Sequence, residues 1–442
     1  MGWIQSLTCI TTCVLLLQQS VVDAVPMNEP RALVERGTNL TGKFLHITDI
    51  HLDPKYLEGA DPDTYCHRIK KNKKDKDTGK YGALGTRCDS PTALVQATFN
   101  FLKKEIKDID FILYTGDTVR HDRDDDLPVT KNDVLNGHKS VMKYFRSAYN
   151  IKNIPYVPTI GNNDGFNHND VVKNDKIFST LKSIWKPLDL NLTSSFTSGG
   201  YYVQDVVPNK LSIINLNSMY FFKKNDEISD CSSSTSPGAI QMKWLERNLK
   251  FYQKKNNNHQ VYLMGHVPPI DDDGSKLYKS KCYSQYLNLL GKYGSVISGH
   301  FTGHTNNDNL NAVIPEGKGK FTYMAADDKE ASGVKASLAK TYVGLFNAPS
   351  IIPVHNPALR VYTYDTQGKD YPFGTIRDWE QYYVDLKKAN KKGTVKYQLE
   401  YRASELYNVD HFDGPGIGQA ISHIAKNKSA RKLYKEYANV SA

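Results

Sequence analysis

The sequence predicts a layered α/β (α+β) fold. Three consecutive units each consist of an apolar run that ends in a polar turn, and helical patterns separate the units. The runs occupy residues 44–48, 110–114 and 154–160. Strands that alternate with helices in this way form sheets covered by helices. The 442 residues suffice for one large domain. We expect a catalytic domain over residues 43–320 and a C-terminal extension over residues 321–442.

The first strand leads into Asp49-Ile50-His51. After Thr48 the backbone must leave the sheet and present both polar side chains at the carboxyl end of the strand, where open α/β sheets bind ligands. Asp and His two residues apart are common by chance and often only face solvent. The motif therefore predicts a metal site only if the rest of the chain supplies further ligands.

The second and third strands also end in polar turns. An irregular insertion, residues 52–89, is too rich in Asp, Lys, Gly and Pro to build a core, and a helical pattern begins at residue 90. The second strand ends in Gly116-Asp117. After a helix near residues 133–149, the third strand ends in Gly161-Asn162-Asn163-Asp164. Gly-Asp and Gly-Asn are ordinary turn pairs, so each turn alone is weak evidence.

Two later strands complete the pattern. Residues 260–264 end in Gly265-His266, and residues 295–298 lead to Gly303-His304. The segment after residue 320 shows no catalytic constellation, and we expect it to cover an edge of the sheet and to line a substrate groove. The remaining predicted elements are strands at 201–206, 211–217, 321–325, 359–365 and 395–401 and helices near 185 and at 237–252 and 282–293.

Five strands therefore deliver polar side chains to one rim. Five such turns after five buried strands are improbable by chance. Together they offer oxygen and nitrogen ligands for two divalent ions about 4 Å apart that share a carboxylate, an arrangement that serves phosphate-ester hydrolysis. The candidate ligands are Asp49, His51, Asp117, Asn162, His266 and His304.

The order of these motifs resembles the calcineurin-like metallophosphoesterases between residues 43 and 309. Within this superfamily, the segment between Cys66 and Cys88, the Asp89-Ser90-Pro91 that follows it and the run 265–269 resemble the acid sphingomyelinase-like phosphodiesterases. A further set of runs is most similar to the fungal vacuolar endopolyphosphatases, namely 47–51, 161–164, 220–223, 230–231 and 303–308.

The resemblance implies a two-sheet β-sandwich flanked by helices, with two metal ions at the carboxyl rim. Asp117 would bridge the ions. Asp49 and His51 would complete one site, and the other site would be completed by Asn162, His266 and His304. A hydroxide between the ions would attack phosphorus in line, without a covalent enzyme intermediate. Positioning and charge neutralisation usually dominate such phosphoryl transfer.

Two positions depart from the superfamily pattern. Asn163 stands where most members have a His that can protonate the leaving group, and an amide cannot do so. A phosphate leaving group needs this proton less than an alkoxide does, because its second pKa is about 6. Asn306 replaces another His, and its amide oxygen suits magnesium, manganese or cobalt better than zinc, which stays open as a fourth choice. His168 is a candidate replacement acid.

The N-terminus is typical of an exported protein. Residues 1–24 predict a cleaved signal peptide or, alternatively, a signal anchor, and residues 25–42 read as a linker. Export makes the four remaining cysteines candidate disulfide partners. Three pairings are possible, of which Cys66–Cys88 with Cys231–Cys282 is the simplest. Candidate glycosylation sites are Asn39, Asn191, Asn427 and Asn439.

The formal charge of +10 and the pI near 9.0 favour an anionic partner. Lysines concentrate at residues 70–80, 387–396 and 426–435. Such runs are usually solvated faces, and binding of a polyanion by any of them is the alternative.

The leading hypothesis is a metal-dependent endopolyphosphatase in a secretory compartment, most consistent with the vacuole lumen and alternatively secreted. Inorganic polyphosphate is then the partner, with no specific nucleic acid, and a membrane contact requires a retained anchor. The first alternative is a phosphodiesterase that acts on a lipid head group or a nucleotide. The second is a polyphosphate-binding protein that has lost catalysis, as Asn163 and Asn306 could indicate. The sequence does not predict the oligomeric state.

Overall fold

The computed structural model describes residues 41–70, 75, 78–255, 258–328 and 342–441. The predicted signal segment 1–24, nearly all of the linker 25–42, the acceptor Asn39 and part of the lysine run 70–80 lie outside the described residues.

Two β-sheets form the centre of the fold, and both are mixed. The first has six strands in the order β15-β14-β13-β1-β4-β5, and the second has seven in the order β11-β10-β12-β9-β8-β7-β6. The strands of the first sheet are β1 Thr41–Ile47, β4 Phe111–Tyr114, β5 Tyr156–Pro158, β13 Ala358–Asp365, β14 Ile376–Tyr383 and β15 Gln398–Arg402. Those of the second are β6 Tyr202–Val207, β7 Leu211–Asn215, β8 Gln260–Met264, β9 Ile297–Thr302, β10 Asn309–Gly317, β11 Lys320–Ala325 and β12 Val343–Asn347.

Aromatic side chains join the inner faces of the two sheets. Phe44 of β1 lies with its ring centroid 5.6 Å from Tyr262 of β8 and 5.5 Å from Phe301 of β9. Tyr362 of β13 packs on Phe44 and on Phe301. Large aromatic side chains bury much apolar area, so these contacts stabilise the face-to-face packing. The predicted two-sheet sandwich is confirmed.

Ten helices of the described residues flank the sheets. Phe145 of the second helix stacks on Tyr156 of β5, and Tyr286 of the sixth hydrogen-bonds His300 of β9. The helices are α1 Thr92–Glu105, α2 Lys131–Ala148, α3 Lys176–Ile184, α4 Ser194–Gly199, α5 Pro237–Lys254, α6 Ser280–Lys292, α7 Leu386–Lys392, α8 Ala403–Tyr407, α9 Gly414–Lys426 and α10 Lys428–Ala438. Within the described part of the chain, no helix combines the length and apolar character needed to cross a membrane.

Several predicted element boundaries differ from the structure, and two of these differences concern segments near the site. The strand predicted at 295–298 runs through His300 to Thr302, because the buried His300 and Phe301 continue the apolar face of β9. The helix predicted from residue 90 begins at Thr92. Ser90 and Pro91 instead form a short strand, β3, which pairs with β2 (Leu52–Asp53) just beyond the Asp-x-His motif.

The segment after residue 320 contributes interior strands to both sheets. The boundary predicted between residues 320 and 321 falls inside β11. Strand β12 lies between β9 and β10, and β13 pairs antiparallel with β1. The segment therefore continues both sheets beyond β1 and β9, while its separation from the catalytic domain as a folding unit stays a prediction.

Both disulfides have the pairing that was predicted as the simplest, Cys66–Cys88 and Cys231–Cys282. Of the predicted glycosylation sites, Asn427 and Asn439 are exposed and Asn191 is half-buried. Their modification stays a prediction.

Candidate metal centre

Six side chains converge where strands of both sheets end. They follow β1 (Asp49, His51), β4 (Asp117), β5 (Asn162), β8 (His266) and β9 (His304). Oδ2 of Asp117 lies 3.2 Å from Nε2 of His51 and 3.3 Å from Nε2 of His266. The structure thus brings together all six residues that the sequence proposed as ligands, with Asp117 in the middle.

The ligand atoms form two groups that share Asp117. In one group, the atoms of Asp49, His51 and Asp117 lie within 4.8 Å of one another, and in the other those of Asp117, His266 and His304 do. Oδ1 of Asn162 joins the second group, 3.0 Å from Nε2 of His266 and 2.8 Å from Nδ1 of His304. This is the division that the resemblance implied.

Neighbouring carbonyls orient two of the imidazole rings. Nδ1 of His51 donates to the carbonyl of Val119 at 3.0 Å, and Nδ1 of His266 donates to that of Thr115 at 2.8 Å. Burial opposes protonation of both imidazoles, but the neighbouring carboxylates raise their pKa values, that of His266 to about 9. Each Nε2 faces the centre and would offer its lone pair to a cation that displaces its proton. Hydrogen bonds of this kind commonly fix the tautomer of metal-binding histidines.

Several of these residues hold a backbone conformation that L-amino acids rarely adopt. A positive φ outside glycine costs up to about 1–3 kcal/mol and clusters at functional sites, although Asp, Asn and His tolerate it best. Backbone hydrogen bonds hold the first loop in place, from Asp49 N to Gly116 O and from His51 N to Asp117 O, both 3.0 Å. The φ values are 49° for Asp49, 40° for His51, 56° for Asp117, 74° for His304 and 64° for Asn306.

Two glycines allow the loops to approach one another. A Cβ on Gly161 would overlap Asp117, and a Cβ on Gly303 would overlap Thr48 and Asp49. The Gly-Asn and Gly-His pairs read from the sequence as turn signals therefore serve close packing around the carboxylates.

The electrostatics of the centre suit cations. Burial alone would raise the pKa of Asp117, but His266 and His51 outweigh it and hold that pKa well below its usual range. Burial and the charge of His266 lower the pKa of His304 to about 3. The centre therefore offers ionised carboxylates, an imidazole that resists protonation and an amide oxygen, which are ligands of divalent metal ions.

Asn306 lies beside this group. Its Oδ1 is buried and has no hydrogen-bond partner, and its Nδ2 reaches only the backbone carbonyl of His304, at 3.5 Å. A buried acceptor without a partner costs about 1–3 kcal/mol, so a cation near it would be favoured. Each of the two groups that share Asp117 could hold a metal ion.

Asn163 and Asp164 hold the loops that carry the ligands. The backbone N and Nδ2 of Asn163 donate to the two carboxylate oxygens of Asp117, at 2.9 and 2.8 Å. Asp164 accepts from the backbone N of Gly161, Asp117 and Thr118 at 2.8 to 2.9 Å. Asp164 belongs to the Gly-Asn-Asn-Asp motif, where the sequence suggested no role for it, and in the structure it connects the loops after β4 and β5.

His168, the predicted replacement acid, lies beside the centre. It is exposed, and its Nε2 is 3.2 Å from Nδ2 of Asn162. Its role as an acid stays a prediction.

Sequence reasoning missed His121. Its ring stacks on His51 with centroids 4.1 Å apart, and its Nδ1 lies 2.7 Å from Oδ1 of Asp89. The residue sits in the charged run Arg120-His121-Asp122, which reads as a solvated loop. Its position four residues beyond Asp117 was the one available signal, because a chain that leaves a ligand turn stays close to the centre for a few residues.

Arg123 was missed for the same reason. Its half-buried guanidinium donates one long hydrogen bond, 3.4 Å, to the carbonyl of Arg87. Among the described residues no carboxylate lies within 4.0 Å of it, although its charge acts on Asp89 and Asp117. A cation beside the centre without a carboxylate partner is suited to an anionic substrate.

Two family models match the chain. The calcineurin-like phosphoesterase model matches residues 42–307, and the model of the acid sphingomyelin phosphodiesterase C-terminal region matches residues 342–441.

The relatives that match this chain include proteins named endopolyphosphatase and one named phosphodiesterase. An endopolyphosphatase of Schizosaccharomyces pombe is 32% identical over 331 residues, which cover 71% of this chain and 54% of that protein. An endopolyphosphatase of Neurospora crassa is 35% identical over 314 residues, 66% of this chain and 42% of that protein. The cyclic GMP-AMP phosphodiesterase SMPDL3A of Bos taurus is 29% identical over 426 residues, 92% of this chain and 85% of that protein.

The chain spans between 40% and 60% of the length of six fungal endopolyphosphatases that it matches. The first family model covers more than half of the chain and the second covers its C-terminal strands and helices. The chain therefore belongs to the calcineurin-like phosphoesterase family, in its acid sphingomyelinase-like branch.

Proposed function

We propose that this phosphoesterase hydrolyses internal phosphoanhydride bonds of inorganic polyphosphate. The main support for this substrate class is Asn163, whose backbone N and side-chain amide both donate hydrogen bonds to Asp117. An amide cannot protonate a leaving group, and a phosphate leaving group with a second pKa of about 6 needs little such help. The fungal relatives named endopolyphosphatase support this substrate.

Divalent ions would be held in the two groups that share Asp117. When bound, such ions supply charge neutralisation at phosphorus and an activated water for in-line attack. The chain itself positions the side chains that would bind these ions. The carbonyls of Val119 and Thr115 hold two imidazole rings, and Asn163 holds both oxygens of Asp117. Asn306 would add its buried oxygen to the His304 side.

Arg123 would bind a phosphoryl group next to the bond that is cleaved. Its guanidinium lies in the field of Asp117 and its charge acts on His168. Charge-assisted hydrogen bonds from Arg to phosphate are strong and directional. His168 remains our candidate for a proton donor where the leaving group needs one.

A second candidate function is favoured by His121. The imidazole of His121 stacks on His51 and pairs with Asp89, so it would be placed to protonate an alkoxide, which a phosphodiester releases, while burial lowers its pKa. The bovine relative carries the name of a phosphodiesterase. A nucleotide diester is therefore the alternative substrate. The third reading, a binder that has lost catalysis, is disfavoured because no charged ligand of the six is replaced.

The test is a gel of long-chain polyphosphate incubated with the purified protein and a panel of Mg, Mn, Co and Zn. A chelator control and a parallel assay of a chromogenic phosphodiester complete it. We expect metal-dependent products of intermediate length, because an internal cut yields two long fragments. Hydrolysis of the diester with intact polyphosphate would instead support the phosphodiesterase hypothesis. No reaction with either substrate would support a polyphosphate-binding protein that has lost catalysis.

We also propose that the protein is located in the vacuole lumen or, alternatively, is secreted. The two disulfides support this proposal, since such bonds persist in oxidising compartments.

A further inference from the structure

The lysine-rich helix α7 meets a distant part of the chain, the end of the insertion closed by Cys66–Cys88, whose described residues next to α7 include Lys80. Nδ2 of Asn390 donates to the carbonyl of Gly82 at 2.9 Å, and the backbone N of Tyr81 donates to Oδ1 of Asn390 at 2.8 Å. The hydroxyl of Tyr81 donates to the carbonyl of Gly393, also at 2.8 Å. These bonds fix α7 against the insertion.

The junction exposes six lysines, which we call the basic surface. It carries charge with little apolar or aromatic area, because Leu386 and Ala389 of α7 and the ring of Tyr81 are buried. All six ammonium groups are exposed, and no carboxylate of the described residues lies within 4.0 Å of them. The lysines are Lys80, Lys387, Lys388, Lys391, Lys392 and Lys396.

Helix stability does not explain these charges. Lys387 and Lys388 occupy the first turn of α7, where the helix dipole disfavours cations. Each also has a like charge four residues later, Lys391 and Lys392, and such pairs destabilise a helix by about 0.2–0.5 kcal/mol. The dipole accounts only for the lysines of the last turn. An anion bound across the helix would relieve all of these repulsions.

A short segment connects the basic surface to the metal centre. The backbone N of Ile352 donates to the carbonyl of Asp49 at 2.9 Å, and that of Gly85 donates to the carbonyl of Pro353 at 3.0 Å. Oδ1 of Asn356 accepts from the backbone N of Leu386, the first residue of α7, at 3.0 Å. The four Cα steps from Ile352 to Asn356 span at most about 15 Å. The start of α7 therefore lies close to the loop that carries Asp49, and a linear polyanion longer than this segment and the contacts at its two ends could span both places.

We propose that the basic surface binds a distal stretch of a linear polyphosphate chain whose scissile part lies in the metal centre. The inference rests on the proposed function and adds that the enzyme should prefer long polyphosphate chains to short ones. A membrane would favour apolar side chains beside the lysines, and single-stranded nucleic acid would favour exposed aromatic rings for stacking. Inorganic polyphosphate offers repeated charge alone, which matches what the surface presents.

The test compares two quadruple variants. The first is K387Q/K388Q/K391Q/K392Q. The matched control removes four exposed lysines from other helices, K182Q/K243Q/K250Q/K254Q, with the same change in net charge. Glutamine is a good helix former, so neither variant should lose helix stability. The measurements are KM and kcat on long and short polyphosphate over a range of salt concentrations, and binding of long chains to chelator-treated protein.

We expect the first variant to raise KM for long chains about tenfold or more with kcat unchanged. It should flatten the slope of log KM against log salt by about 3, since each neutralised phosphate contributes about 0.7 for a single strand. KM for chains too short to reach α7 should stay within about twofold, and the control variant should behave as the native protein.

If the first variant still cleaves polyphosphate with an unchanged KM and an unchanged salt slope, the proposal that the basic surface binds polyphosphate is wrong. The proposed function would be unaffected by this result. Loss of long-chain binding in the first variant, in a protein that cleaves no polyphosphate, would support the surface and overturn the function. Tighter binding of native protein to phosphatidylserine vesicles or single-stranded DNA than to polyphosphate, lost in the first variant, would overturn the choice of partner.

Discussion

Asn163 is the residue on which the choice of substrate rests. It donates two hydrogen bonds to Asp117, the carboxylate shared by both ligand groups. It therefore positions that carboxylate and offers no proton to a departing alkoxide. This combination is the basis of our proposal that the substrate releases phosphate and not an alcohol.

Replacing Asn163 with His should change the ratio of activities. General acid catalysis contributes about 10²–10⁴-fold where the leaving group needs a proton. Asn163→His should therefore raise kcat/KM on an alkyl phosphodiester relative to polyphosphate by about tenfold or more, a lower bound because the new ring must also find the correct position. The measurement is kcat/KM on the diester and on polyphosphate, each with one metal-replete preparation of the variant and of the native protein. An unchanged ratio would show that position 163 does not set substrate choice.

A buried ion pair connects the loop of His304 to the C-terminal strands. Arg360 of β13 is fully buried and pairs with Asp308, which follows His304 and Asn306 in the same loop. Arg360 also donates to Gln381 of β14 at 2.8 Å, and Asp308 accepts from the hydroxyl of Tyr401 of β15. Breaking such a pair from one side usually costs about 3–5 kcal/mol. The C-terminal strands therefore position a ligand loop, although they carry none of the six ligands.

His67 fastens the disulfide-closed insertion to the rest of the chain. Its Nδ1 lies 2.6 Å from Oδ2 of Asp124 and its Nε2 lies 3.0 Å from Oδ2 of Asp53. Both nitrogens can donate only when the imidazole is protonated. Burial alone would lower the pKa of His67, but the bonds to Asp53 and Asp124 raise it above its usual value of 6.5.

The stability that His67 contributes should depend on pH. Because its pKa is raised in the folded chain, the contribution is complete below 6.5 and is lost as pH rises through the raised value. His67→Gln should therefore lower the melting temperature at about pH 5.5 by more than at about pH 8.5. Melting curves of both proteins at the two pH values test this. An equal difference at both would mean that the protonated imidazole is not the stabilising form.

At the scale of the whole molecule, local patterns predicted the parts of the fold that short segments determine. Apolar runs that end in Asp-x-His, Gly-Asp, Gly-Asn or Gly-His predicted strands and six side chains that converge in the structure, because a strand and the turn after it lie within a few residues. That these six side chains bind metal stays a prediction. Strand β14 was missed since its charged residues, Arg377, Asp378 and Glu380, obscure the apolar alternation. Strands β10 and β12 were also missed.

Contacts between distant segments could not be read from the sequence. His121 stacks on His51, and Asn390 binds the insertion more than three hundred residues earlier. The position of His121 four residues beyond Asp117 indicates only that it lies near the centre, and nothing in the neighbouring residues encodes its partner or that of Asn390. The missed site residues and the basic surface both depend on such pairings, which require the assembled sheets.

We propose that Asp117 would join two divalent ions in one centre that cleaves polyphosphate. The most direct measurement is a titration of chelator-treated protein with one divalent ion, with bound metal and polyphosphate cleavage followed together. Asp117→Asn is compared with Asp108→Asn, the same change at an exposed turn. We expect cleavage to return in parallel with about two bound ions per chain. We also expect Asp117→Asn to lose nearly all activity and Asp108→Asn to lose none. Near-normal turnover by metal-replete Asp117→Asn, or full activity without bound metal, would contradict this proposal.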